Sequence, residues 1–227
     1  MRIHHALFVF LIPCAMFAQD ASRSVAGGGI SVPGWKGQID ANEARRGSTL
    51  ENAKFEAQGS GFHVVTGPAV TYWHEGDKAT GDYTVKATFT EPKFMNLNTH
   101  AHPYGIMIAG NDLGTPNAGS LYCAAYGTGN FIVRGFGPAP FQLNGREGEE
   151  NEAVHHAAGK DQAVTQEVAI QVKGDKVSCL INGKSVFSYN KADLVTTGKL
   201  KSTDGTYGLR FAHNTEVQVT GFTMTKN

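Results

Sequence analysis

In the run Tyr83-Thr84-Val85-Lys86-Ala87-Thr88-Phe89, apolar Tyr83, Val85, Ala87 and Phe89 alternate with Thr84, Lys86 and Thr88. A period of two sends the two sets to opposite faces of an extended strand, one to be buried and one to be wetted. The same grammar recurs at 62–65, 69–73, 104–109, 121–126, 131–136, 168–172, 176–181, 184–189, 207–211 and 216–225. Runs 176–181 and 184–189 are joined by Asn182-Gly183, a two-residue hairpin whose turn positions both need positive φ. Gly174-Asp175 and Gly127-Thr128-Gly129-Asn130 read as further hairpin turns. Glycine supplies 28 of 227 residues without any collagen-like period, so it serves to punctuate short strands. Only 149–158 has the look of a helix longer than about two turns. Roughly eleven strands linked by tight turns predict an all-β fold, two antiparallel sheets packed as a jelly-roll sandwich.

The chain opens Met1-Arg2-Ile3-His4-His5, runs apolar from Ala6 to Phe17, and continues Ala18-Gln19-Asp20. A basic start, a short apolar stretch and a small residue before a polar one predict a signal peptide over 1–18, cleaved after Ala18. A lipoprotein reading through Cys14 is disfavoured by Pro13, which stands where a small residue is wanted. Residues 19–61 are then expected to lead into the sandwich, and 62–227 to form it. The expected destination is the periplasm or the exterior. No later segment is long and apolar enough for a membrane helix, so no membrane insertion of the mature chain is expected.

Loss of Arg2 with the signal leaves 19 basic against 20 acidic residues, a formal balance of −1. Such a chain has no electrostatic footprint for nucleic acid or for an anionic membrane surface. Of three cysteines Cys14 departs, leaving Cys123 and Cys179. Each shares parity with apolar neighbours: Leu121 and Ala125 in one run, Val177 and Ile181 in the other. Two readings stand: a disulfide permitted by an oxidising compartment, or two buried thiols acting as small hydrophobes. The one long irregular stretch, 137–164, begins rich in Gly and Pro and passes through Glu147, Glu149, Glu150 and Glu152 to His155-His156. It reads either as a functional loop or as a solvated excursion over a sheet edge.

The ordered series Tyr104-Gly105-Ile106-Met107-Ile108-Ala109-Gly110, Leu121-Tyr122, Gly129-Asn130-Phe131-Ile132-Val133-Arg134, Val177 to Lys184 with its Asn-Gly hairpin, and Gly205-Thr206-Tyr207-Gly208-Leu209-Arg210 carries a family likeness. It resembles the concanavalin A-like lectin/glucanase superfamily, especially laminin G-like domains and the 3-keto-disaccharide hydrolase domain family. The resemblance spans about Phe62 to Met224 and implies a curved sheet whose concave face binds saccharide. Its motifs are structural, and fold alone does not assign chemistry.

Glycoside hydrolysis ordinarily uses two carboxyl groups astride the scissile bond. The glucanases of the superfamily carry theirs on one strand as E-x-D-x-x-E, and no such pattern occurs here. The run Glu147 to Glu152 lacks the aspartate and apolar neighbours, and reads as solvated charge. His100 and His102, at i and i+2, could face one way and ligate a metal, joined by His213 only if the fold brings it close. The plainer reading is a pair of loop histidines ahead of a strand. No cofactor is required by any motif, and no serine-hydrolase elbow, P-loop or dinucleotide fingerprint is present. Ca²⁺ has suitable oxygen donors in 110–117, which equally reads as a turn-rich connector.

Sugar rings stack on aromatic faces while planar polar groups bind their hydroxyls. Tyr122 and Tyr126 oppose Leu121, Cys123 and Ala125 in parity, and Arg134 opposes Phe131 and Val133. The expected binding face is therefore Trp73, Tyr104, Tyr122, Arg134, Arg210 and His213. The expected function is exported carbohydrate binding. The alternatives are a hydrolase acting on 3-keto-disaccharides or related glycosides, with acid or base from His102, His213 or the 147–152 loop, and a non-catalytic adhesive module.

Overall fold

The computed structural model describes residues 21–146 and 148–227; the expected signal peptide and its cleavage point lie outside these, as does Glu147. Eight strands come first: β1 (Gly29–Ile30), β2 (Trp35–Ile39), β3 (Ala53–Gln58), β4 (Gly61–Thr66), β5 (Val70–Ala79), β6 (Tyr83–Glu91), β7 (Tyr104–Asn111) and β8 (Gly119–Ala125). Eight follow: β9 (Asn130–Phe136), β10 (Phe141–Gln142), β11 (Glu149–Glu150), β12 (Val164–Lys173), β13 (Lys176–Ile181), β14 (Lys184–Asn190), β15 (Gly205–Phe211) and β16 (Glu216–Lys226). Two four-residue helices, α1 (Ala41–Ala44) and α2 (Lys191–Leu194), and a 3-10 turn at Leu50–Asn52 complete the regular structure described.

Two sheets result, as the alternation requires. The first runs β1-β3-β4-β16-β6-β12-β13-β14, the second β10-β9-β8-β7-β15-β5-β2 with β11 also pairing with β9. All pairs are antiparallel except β1 beside β3. The eleven runs read from the sequence are all strands, and Asn182 and Gly183 take φ of 50° and 79° in the hairpin between β13 and β14. The stretch 19–61 supplies β1 and β3 to the first sheet and β2 to the second.

Residues 149–158 do not form a helix. Their backbone groups bond sideways to the 127–130 turn instead: Asn151 N–H donates to Gly129 O at 3.0 Å, and Ala157 N–H to Gly127 O at 2.8 Å. Glu149 and Glu150 pair with Phe131 and Asn130 as β11, and both side chains are exposed, as solvated charge should be.

The core lies between the sheets. From the first come Phe55, Val64, Tyr83, Val85, Phe89, Val168, Ile170 and Val219; from the second Tyr72, Tyr104, Ile106, Leu121, Phe131, Leu209 and Phe211. Cys123 on β8 and Cys179 on β13 form a disulfide across this core, with Cα atoms 6.0 Å apart and a separation of 56 positions in sequence. Of the two readings left open by the sequence, the bridge is the one realised, and it ties one sheet to the other.

Candidate ligand-binding face

The outward face of the second sheet is built from the parity opposite to the core. Register places Gln142, Arg134, Tyr122, Met107, Gly208, Trp73 and Lys36 side by side in one row across seven strands. The next row holds Ile132, Ala124, Gly105, Arg210, Thr71 and Gln38. Although they point away from the core, Trp73, Met107, Tyr122, Ala124 and Ile132 are buried in a second apolar cluster, with Leu113, Tyr126 and Phe136 packed on it. Gly105 and Gly208 sit in the middle of this face. A Cβ there would lie 2.0 Å from Cys123 O or 2.2 Å from Tyr72 O, so only glycine allows the strand approach.

Arg210 organises the face. Its two terminal nitrogens donate to the Asp40 carboxylate in a bidentate pair, 2.6 Å each, and one also donates to Thr71 Oγ1 at 3.3 Å. The guanidinium lies 5.2 Å from the ring centres of both Tyr122 and Phe136, which stack on each other at 5.9 Å. Burial by itself would disfavour the charge, but the charge and hydrogen bonds of Asp40 outweigh it and raise the guanidinium's pKa above its ordinary value. A fixed cation with planar donors, flanked by aromatic rings, thus forms the floor.

Over this floor opens a groove of about 420 Å³, lined by Gln38, Asp40, Asn42, Arg45, Thr71, Leu113, Ser120, Phe136 and the 137–140 turn. One wall is the chain from β2 into α1, the other the loop after β7 and the start of the 137–164 stretch. The walls are tied at Gln38, whose Oε1 accepts from Gly114 N–H at 3.0 Å. The lining sets a carboxylate, amides, hydroxyls and a guanidinium among Ile39, Leu113, three prolines and one aromatic ring, a mix that can bind a polyhydroxylated ligand.

The six residues expected from the sequence are dispersed by this geometry. Tyr122 and Arg210 do lie on the outward face, but beneath the groove, where they support Phe136 and hold Asp40. Arg134 is on the same face at its β9 edge, half-buried, donating to Arg146 O. Trp73 is buried on the face and borders a separate recess of about 460 Å³ together with Trp35, Lys36 and Glu75.

Tyr104 is a correction. It points inward, is fully buried, and stacks on Phe89 at 5.8 Å. Residues 104–109 are apolar on both parities because the strand is buried on both faces, so alternation could not tell inward from outward. His213 is also off the groove. It lies past the end of β15, buried, its ring 4.1 Å from that of His102, which in turn is 4.4 Å from His100.

The groove residues missed by the sequence reading are Gln38, Asp40, Asn42, Arg45, Thr71, Ser120 and Phe136. Four lie in 19–61, a stretch that the sequence reads as a lead-in. Their signal was present: Trp35, Gly37 and Ile39 alternate with Lys36 and Gln38, a short strand whose polar parity faces the groove. The 110–117 loop joins β7 to β8. Its Asp112 carboxylate pairs with Lys201, and Thr115 Oγ1 donates to Asp112 O at 2.8 Å.

No protein-family model matches the sequence, and no curated protein is similar to it in sequence. Solved structures are similar in fold. A carbohydrate-binding module, CBM66 from Bacillus subtilis, superposes with a TM-score of 0.56 at 8% identity, covering 85% of this chain and 96% of that one. A protein of unknown function with a galectin-like fold, also from Bacillus subtilis, gives a TM-score of 0.55 at 11% identity over 85% and 89%. At these identities the likeness is one of fold alone: a two-sheet antiparallel sandwich of the galectin-like kind.

Proposed function

We propose that this chain is an exported carbohydrate-binding protein that holds a saccharide in the groove over the outward face of its second sheet. The observation that carries this reading is the Asp40–Arg210 pair, aimed into a roomy groove and backed by Tyr122 and Phe136. Asp40 keeps lone pairs free for sugar hydroxyls while its position is fixed from below, so little orientational entropy remains to be lost on binding. Asn42, Arg45, Gln38, Thr71 and Ser120 add donors and acceptors around it, and Phe136 offers an apolar face. The resemblance in sequence and the fold shared with a carbohydrate-binding module point the same way, and the inter-sheet disulfide suits an oxidising compartment.

Binding is favoured over hydrolysis because, among the described residues, Asp40 is the single carboxylate that lines the groove, and it is already paired with Arg210. A two-carboxylate hydrolysis has no second partner there. The test is a glycan array probed with the purified protein and with an Asn42→Ala/Arg45→Ala variant. Both residues are exposed, so the fold should be unaffected. Specific retention that drops about tenfold or more in the variant, a loss of roughly 1.4 kcal/mol, supports the groove. A blank array, or binding indifferent to the variant, overturns it.

A further inference from the structure

We infer that His100, His102 and His213 form a binding site for one transition-metal dication of the Zn²⁺ class, separate from the saccharide groove. One imidazole nitrogen from each of the three lies within 4.8 Å of those of the other two. A tetrahedral Zn²⁺ with bonds of about 2.0–2.1 Å needs its nitrogens about 3.3 Å apart, so small side-chain rotations would close the set. His102 and His213 are buried and His100 is exposed, which puts two donors in a shielded pocket and leaves a side open to solvent. Three protein ligands with an open fourth position is a recurrent zinc arrangement, the last place being taken by water.

The donors come from distant parts of the chain, 98–103 and 212–215, and those two loops are cross-tied. Ala212 N–H donates to Pro103 O at 3.0 Å, and Asn98 Nδ2 to Asn214 O at 2.6 Å. Asn214 is in turn fixed, its N–H donating to Gly67 O and its Oδ1 accepting from Arg23 N–H at 2.7 Å. Thr66 and Thr215 hydroxyls, 2.9 Å apart, brace the turn from below. The ligand set is therefore held together by backbone that would stay in place without an ion. Its chemistry sets the class of ion: neutral imidazoles suit Zn²⁺, Cu²⁺, Ni²⁺ and Co²⁺, while Ca²⁺ and Mg²⁺ need oxygen donors.

The experiment is calorimetric titration of chelator-treated protein with Zn²⁺, Ni²⁺ and Ca²⁺, together with the absorption spectrum of the Co²⁺ form. One equivalent of Zn²⁺ or Ni²⁺ should bind, Ca²⁺ should not, and Co²⁺ should give d–d bands of a nitrogen-ligated site. His100→Ala, an exposed change that leaves the fold alone, should weaken Zn²⁺ binding at least about 100-fold. His213→Ala should do the same, whereas His155→Ala/His156→Ala, in an exposed pair elsewhere, should change nothing. No Zn²⁺ or Ni²⁺ binding at micromolar concentration, or binding unchanged by His100→Ala and His213→Ala, overturns the proposal. Since none of these readouts uses saccharide, the groove hypothesis can fail without touching this one, and the reverse.

Discussion

The two outward faces of this sandwich are made by the same strand geometry and have opposite characters. On the first sheet, Thr84, Lys86, Thr88 and Thr90 of β6 lie beside Thr225, Thr223, Thr220 and Gln218 of β16 and beside Gln171, Ala169, Glu167 and Thr165 of β12. Nearly all are exposed or half-buried, and their one ion pair, Lys86–Glu167 at 2.9 Å, is solvated. On the second sheet the equivalent positions carry Trp73, Met107, Tyr122, Ile132 and a buried, paired arginine. A face that only needs to be wetted is furnished with threonine, which suits a pleated strand and costs little in water. Burying a second apolar layer and a paired cation outside the core gives the second face a fixed base beneath the groove.

The contrast can be broken by removing a cation from each side. Arg210→Ala strands Asp40 in a half-buried position and empties the space against two rings; it should cost about 3–5 kcal/mol in chemical denaturation. Lys86→Ala on the other face should cost no more than about 1 kcal/mol, and less in high salt. Equal losses would mean that the second face is ordinary surface.

Removing the disulfide tests what the faces share. Its loop of 56 residues implies about 4 kcal/mol from restricted unfolded-chain entropy. Reduction, or Cys123→Ala/Cys179→Ala, should lower the denaturation midpoint by a corresponding amount. Because the bridge lies behind the face and contributes nothing to the groove, saccharide binding by the folded fraction should be unchanged.

Glu91 sits on core parity at the end of β6, outside both faces. Burial pushes its carboxyl up to about 7, against a single opposing hydrogen bond from Met95 N–H. The folded state thus holds this proton more tightly than the unfolded chain, whose value is about 4.3. The associated stability is complete below about pH 4.3 and is lost as pH rises to 7 and beyond, of the order of 4 kcal/mol in total. Denaturation midpoints between pH 5 and 8 should fall along that course, and Glu91→Gln should flatten it. The smallest effect belongs to the wetted face: Thr88→Ala should shift stability by about 0.5 kcal/mol or less.

How much of this was legible depended on which parity was wet. Alternation in β6, β12 and β16, with threonine and lysine outside, gave those strands and their inward faces directly, and Cys123 and Cys179 were placed on core parity. In β7 both faces are apolar, so parity does not separate the core position of Tyr104 from a place on the expected binding face. The groove was hidden for another reason. Its polar wall, Gln38 to Arg45, follows a strand of only five residues, and its key contact joins positions far apart in the chain. Local pattern carries no information about such a pairing. The histidine triplet shows the same limit from the other side: His100 and His102 were visible as a pair, but only the fold adds His213.

The Asp40–Arg210 pair spans 170 residues, and β15, which carries Arg210, lies between β5 and β7 in the second sheet. As the chain emerges during synthesis, β5 and β7 are available long before the strand that must be laid between them. Until residues 205–211 arrive, the second sheet is open at its centre and Asp40 has no cation to hold it. The groove is therefore among the late things this protein makes, completed only when β15 arrives and followed by β16, which closes the first sheet between β4 and β6.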